Sequence, residues 1–254
     1  MHANKIAIFL CDLTGVMAAP WVEAGYEVIL VDPQHPAGVH REGLITKVGH
    51  IIDHPETWRV LRAAIATGRI AFVAGFPPCT DVAVSGTPHF KRKAANDPHF
   101  QAKAALVAEQ CRLIGQLSGA PWFFENPVSV FSSIFGKPQH TFHPFEFTSY
   151  RMEDNYTKKT CLWTGGGFVM PAPRPDARVA DDIAAVRAIT GKMPPKKKAQ
   201  ALTGLALDFY PDDRIHKCPP GAERANIRSA TPEGFARAVF IANHRPAVIQ
   251  ELAA

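Results

Sequence analysis

Short, nearly continuous apolar runs recur along the first half of the chain. Between them lie stretches whose apolar positions return every three or four residues. Runs of the first kind read as strands buried on both faces, and stretches of the second kind as amphipathic helices. Ile6 to Leu10 is the first predicted strand. A helix from Val16 to Ala24 follows, closed by Gly25, and Val28 to Val31 is the second strand. Residues from Asp32 to Asp53 are rich in Pro, Gly and His and read as loop. From Pro55 to Thr67 the stripe Trp58, Leu61, Ile65 predicts a helix, with Arg59 and Arg62 off the stripe. Ile70 to Ala74 is a further strand. Phe100 to Leu117 is a helix burying Ala104, Val107, Ala108, Cys111 and Ile114, and Pro121 to Phe124 is the next strand. Strand and helix in alternation predict an α/β fold built on a doubly wound, mostly parallel sheet.

The pattern loosens from Ser129 to Tyr156, where five phenylalanines are scattered, and Lys159 to Trp163 reads as one more strand. Residues 169–225 leave the alternation altogether, with Pro171, Pro173 and Pro175, a helix from Asp181 to Ile189, and a Pro-Pro-Lys-Lys-Lys run. This stretch predicts a small irregular lobe, inserted between a main domain of residues 1–168 and its closing segment, 226–254. Order returns at Thr231, the expected N-cap, with Pro232 at the first helical position and Phe235, Val239 and Ile241 on the apolar face.

Chemistry collects at the predicted strand ends, where open α/β sheets bind their ligands. Asp12-Leu13-Thr14-Gly15 follows the first strand, and Asp32 ends the second, 20 residues beyond Asp12. Strand, glycine turn, helix, strand and acid make a unit that holds adenosine-containing cofactors, the acid accepting the ribose hydroxyls. Gly15 stands alone in its loop, and the same unit also serves packing alone. Beyond the Ile70 strand, Pro77 and Pro78 stiffen the backbone before Cys79, and Glu125-Asn126 closes the following strand. Consecutive parallel strands are usually neighbours, so Cys79 and Glu125 are predicted to share one crevice. A thiol beside an acid suits covalent attack on an electron-poor ring carbon, the acid supplying a proton to the ring. Thr80 to Phe90 reads as an ordered loop over that site. His35, His40 and His50 share no spacing and read as solvated loop residues.

Composition narrows the class. At 46% hydrophobic and 20% charged residues the chain is that of a globular protein, with no apolar run of membrane-spanning length. Its N-terminus enters a strand without a secretory cleavage pattern, which predicts a cytoplasmic location. Five cysteines without regular spacing argue against both a disulfide framework and a metal site. The net charge of +5 favours a polyanionic partner, with clusters at Lys91-Arg92-Lys93, Lys158-Lys159 and Lys196-Lys197-Lys198.

The ordered set DLTG, VD, GFPPCT, ENPV and a terminal TPEGFARAV helix resembles the DNA (cytosine-5) methyltransferase family, above all its short phage-encoded members. The resemblance covers about the first 165 residues and the last 30. It implies a Rossmann-like methyltransferase fold whose inserted lobe recognises the target. S-adenosyl-L-methionine would be the cofactor, and double-stranded DNA the partner of a monomeric enzyme. By resemblance, Cys79 attacks carbon 6 of a flipped cytosine, Glu125 stabilises the adduct, and Asn126 braces the Pro-Cys loop. Asp12, Leu13, Thr14, Gly15, Asp32 and Asp53 would contact the cofactor, with Pro77, Thr231 and Gly234 beside them. Ser85, Lys91, Arg92, Lys93, Lys196, Lys197 and Lys198 would meet nucleic acid. Either Lys158 or Lys159 replaces the family's base-contacting arginine. The family's later glycine pair is here Met17-Ala18, and its final Gly-Asn is replaced within Pro232-Glu233-Gly234-Phe235. RNA as substrate, transfer of a carboxymethyl-type group, and a catalytically silent nucleic-acid-binding protein are the alternatives.

Overall fold

A computed structural model describes residues 5–219, 221 and 224–244. The chain is an α/β protein built on an eight-stranded, mostly parallel sheet. In chain order it runs β1 (Ile6–Leu10), α1 (Ala19–Glu23), β2 (Glu27–Val31), β3 (Val39–Glu42), β4 (Ile45–Val48), α2 (Pro55–Ala66) and β5 (Ile70–Gly75). Then come α3 (Phe90–Asn96), α4 (Phe100–Ser118), β6 (Trp122–Pro127), α5 (Phe131–Ile134), β7 (His140–Phe142) and β8 (Thr160–Gly165). The remainder is α6 (Ala177–Thr190), α7 (Lys196–Thr203), α8 (Arg224–Ser229) and α9 (Glu233–Asn243). The strand order is β3-β4-β2-β1-β5-β6-β8-β7. Strands β4, β2, β1, β5 and β6 run parallel, whereas β3 and β8 run antiparallel to their neighbours.

The pleat divides β1 between two cores. Ile6, Ile8 and Leu10 face Leu61 and Ala64 of α2, Cys111 and Ile114 of α4, and Phe131 of α5. Ala7 and Phe9 face Trp21 of α1 and Phe235 and Val239 of α9. Helices on both faces are what allow the central strands to be apolar throughout. The chain winds outward from β1 in one direction through β2 and β4, then returns to pair β5 on the other side of β1. The order therefore reverses between β1 and β5, and the loops after these two strands border the crevice this reversal opens.

Several local expectations are corrected. The first helix covers only Ala19–Glu23, because Val16 and Met17 belong to the turn after β1. The loop-rich stretch from Asp32 to Asp53 contains the β3–β4 hairpin, Val39 pairing with Val48 and Glu42 with Ile45 across Gly43-Leu44. His35 is not solvated: it is buried, and its Nε2–H donates to the backbone oxygen of Asp12 at 3.0 Å. The final helix is capped not by Thr231 but from a distance, since Asp154 Oδ2 accepts the N–H of Gly234 at 2.7 Å and Pro232 occupies the cap. The stretch 169–225 is more regular than expected. Helix α6 spans both ends of its predicted range, α7 starts on the lysine run, and Val179, Ile183, Val186, Ala199 and Tyr210 form a small core with Phe145.

Candidate active site

Three strand ends converge at the reversal. After β1, Cys11 adopts φ +56 and Gly15 φ +66, a double bend that turns the backbone back toward α1. Asp12 shapes this turn, its Oδ1 accepting the Gly15 N–H at 2.8 Å and the Thr14 hydroxyl at 3.1 Å. Its Oδ2 is buried with no partner. Burial pushes the Asp12 carboxyl up, and the hydrogen bonds of Gly15 and Thr14, together with the nearby His35, oppose the rise. Gly15 takes a left-handed conformation, which glycine adopts without the strain an added Cβ would bring. After β2, Asp32 is buried and accepts the Gln34 N–H at 2.8 Å. Asp53 is exposed in the turn between α2 and β4, the strand that pairs with β2. Leu13 is half-buried and Thr14 exposed at the mouth of the same turn.

The second arm is the β5 end. Parallel pairing of β5 with β6 stops at Gly75 and Phe124. Strand β6 continues through Glu125, Asn126 and Pro127, paired only with Leu162, Cys161 and Thr160 of β8. Glu125 therefore lies inside a strand rather than after one, yet beyond the edge of β5, at the level of the Pro77-Pro78-Cys79 turn. Asn126 is buried and donates its Nδ2–H to the carbonyl of Pro77 at 2.9 Å. Further stitches fix the two loops together: Ala83 bridges Ser129, and Val130 N–H donates to Val82 O at 3.0 Å. Cys79 itself is half-buried.

The electrostatics join these groups. Burial pushes the Glu125 carboxyl up, and its Oε2 has no hydrogen-bond partner; the charge of Lys158 opposes the rise. Burial also pushes the Cys79 thiol up, as does the negative charge of Glu125, whereas Lys158 and Arg228 pull it down. Lys158, not Lys159, thus faces the thiol and the acid; Lys159 is exposed and acts on Cys161 instead. Tyr156 belongs to the same group, its hydroxyl pushed up by burial, by Asp154 and by Glu125. Tyr156 and Arg228 escaped the sequence reading. Arg228 lies on α8, far along the chain, and no local pattern connects it with Cys79.

The remaining predicted residues lie around this centre. Pro77 is buried in the clamped turn, and Ser85 is exposed on the 3₁₀ turn of Val84–His89. Lys91 and Arg92 are exposed on α3, but Lys93 is committed to the loop, bonding Asp81 at 2.6 Å and Thr80 O at 2.8 Å. Lys196, Lys197 and Lys198 open α7 and line a cleft of about 410 Å³ with Asp212, Asp213 and Lys217. Gly234 is buried against Phe147 O, and Thr231 is half-buried just before the last helix. Among the described residues one cluster, His50, His54 and Glu56, brings metal-ligating atoms together. Its two imidazoles stack at 3.8 Å and 11°, so their in-plane lone pairs run parallel and do not converge on one ion. No helix among the described residues is long and apolar enough to cross a membrane.

No family model matches the chain, and no curated protein matches it.

Proposed function

We propose that this protein transfers a methyl group from S-adenosyl-L-methionine to carbon 5 of cytosine in DNA, through a covalent adduct on Cys79. The observation that carries this reading is the placement of Cys79 near Glu125, whose Oε2 is buried without a hydrogen-bond partner, in loops that Asn126 locks together. When protonated, the form that burial favours, a carboxyl group presents one donor and one acceptor. That edge complements a ring nitrogen beside an exocyclic amine, the arrangement on the Watson–Crick side of cytosine. Reaching it requires the base to leave the helix stack.

The cofactor fits the residues at the β1 and β2 ends. The left-handed Gly15 turn follows β1, and Asp32 at the end of β2 would accept the ribose hydroxyls. Asp12 brings a buried oxygen without a partner to the same turn. Bound there, S-adenosyl-L-methionine supplies an electrophilic methyl group. The chain's own residues act on the base. With its thiol proton passed to solvent, Cys79 sulfur bonds to carbon 6 while protonated Glu125 gives its proton to nitrogen 3, and the electron-rich carbon 5 would take the methyl group as the methyl–sulfonium bond breaks. Lys158 stabilises the thiolate before attack. Once water has taken the proton from methylated carbon 5, the carbon–sulfur bond breaks to release Cys79 as thiolate, nitrogen 3 returns its proton to Glu125, and the 5,6 double bond is restored.

The lysines on α7 and the exposed Lys91 and Arg92 supply phosphate contacts. Incubation with methyl-labelled cofactor and duplex DNA tests the reading. Label is expected in DNA at cytosine. Label in RNA alone would move the substrate to RNA, and no label in either would reject the methyl-transfer reading.

A further inference from the structure

The lobe returns toward the sheet through residues 207–214, alongside residues 153–157 and immediately upstream of Lys158. Tyr156 and Asp212 form a parallel bridge. Thr157 donates both its N–H, at 2.8 Å, and its hydroxyl, at 3.0 Å, to the carbonyl of Asp212. Asn155 Nδ2–H donates to Phe209 O at 2.8 Å. Arg214 stands at the centre of this strap. Its backbone N–H bonds Asp212 Oδ1 at 3.0 Å, its Nη2–H bonds Glu153 O at 2.6 Å, and its guanidinium lies 5.2 Å from the centre of the Tyr156 ring. The same strap borders the lysine cleft: Asp212 and Asp213 line it beside Lys196, Lys197 and Lys198, and Lys196 Nζ donates to Asp208 O at 3.1 Å. One short segment therefore touches the solvent-facing lysines on one side and the residues leading into the crevice on the other.

We propose that Arg214 is a positioning residue that couples nucleic-acid contact at the Lys196–Lys198 cleft to the placement of Tyr156 and Lys158 beside Cys79 and Glu125. This rests on the reading of the crevice as a site that acts on nucleic acid. A phosphate drawn to the lysines changes the balance of charge around Asp208, Asp212 and Asp213. Arg214 carries that change, because its planar fork holds Asp212, the Glu153 carbonyl and the Tyr156 ring at once. An isolated surface arginine would have no such reach.

The test reads Cys79 reactivity, so it does not depend on methyl transfer. Alkylation of Cys79 by iodoacetamide is followed with and without a short cytosine-containing duplex, in the intact protein and in Arg214→Ala. In the unaltered protein the duplex is expected to change the alkylation rate by about fivefold, the lower end of measured site-to-site couplings. Arg214→Ala should abolish that response while duplex affinity stays within about twofold, because Arg214 is exposed and lies outside the lining of the lysine cleft. Arg214→Lys, which keeps the charge but not the fork, should recover only part of it. A duplex that binds without altering alkylation overturns the proposal. So does an Arg214→Ala protein that keeps the full response, or that simply loses affinity as a phosphate contact would. If the response depends on Arg214 but no label is ever transferred, the coupling stands and the methyl-transfer reading falls.

Discussion

The side-chain amide of Asn126 donates to the carbonyl of Pro77 across 2.9 Å of buried space, joining two residues 49 positions apart. This bond ties the turn that carries Cys79 to the strand that carries Glu125. The thiol and the acid therefore keep one relative placement without depending on a bound substrate. Asn126→Ala leaves the Pro77 carbonyl without that partner, at a cost of about 1–3 kcal/mol. It should lower methyl transfer more steeply than it lowers the melting temperature. Parallel measurement of both in Asn126→Ala and Asn126→Asp checks this, and equal losses would reduce the bond to a folding contact.

Glu125, when charged, opposes the ionisation of Cys79. The negative charge on Glu125 helps to push the thiol up, so removing that charge should release it. Glu125→Gln is expected to speed the alkylation of Cys79 several-fold at a fixed pH near 8, while abolishing transfer to cytosine. The alkylation–pH profile of the variant should shift toward lower pH. An unmoved profile would mean that the two groups do not sense each other.

Lys158 and Lys159 are adjacent, but only Lys158 acts on Glu125 and Cys79. Lys158→Ala should reduce kcat by about tenfold or more, as expected on losing one electrostatic stabiliser at a reacting centre. Lys159→Ala should leave kcat within about twofold, since an exposed charge contributes little. Steady-state rates of the two variants decide between them.

Asp154 gives the fold a pH-dependent feature at the last helix. Its carboxyl is raised from 3.8 to about 6, chiefly by burial, although it accepts the Gly234 N–H. A raised acid favours the fold most when protonated. Its contribution is full below the unfolded value and is lost as pH rises through about 6. The effect is on the order of 1–2 kcal/mol once solvent screening is discounted. Asp154→Asn keeps an acceptor for Gly234 without the titration. The variant should therefore melt higher than the unaltered protein at pH 7.5, with the difference shrinking toward pH 4. Thermal unfolding across that range checks the sign.

The central strands were largely legible because parallel strands buried on both faces are written as short apolar runs, their ends marked by Gly, Pro and acid. Those marks and the pairing of successive strands bring Cys79 and Glu125 to one crevice, whereas the strand's continuation through Glu125 to Pro127 was not marked. The burial of His35 was not marked either, because it follows from a contact with the Asp12 backbone across two loops. Asp154 caps Gly234 from 80 positions away, and no local rule ranks it above the adjacent Thr231. The strap through Asp212 and Arg214 likewise depends on where the lobe's return path falls, a long-range outcome of packing the small core around Phe145 and Tyr210. The β3–β4 hairpin was not legible, because Val39-His40-Arg41-Glu42 and Ile45-Thr46-Lys47-Val48 carry no apolar alternation and join through a two-residue turn, Gly43-Leu44, without a proline or asparagine to mark it.

The central claim is that Cys79 forms a bond to a cytosine ring. Incubating the protein with S-adenosyl-L-methionine and duplex DNA carrying 5-fluorocytosine, followed by mass spectrometry of the intact protein, tests it directly. Fluorine cannot leave carbon 5 as a proton does, so the adduct should be trapped on Cys79 and be absent from Cys79→Ala. A protein that methylates ordinary DNA without an adduct, or that forms the adduct after Cys79 is replaced, would contradict the account.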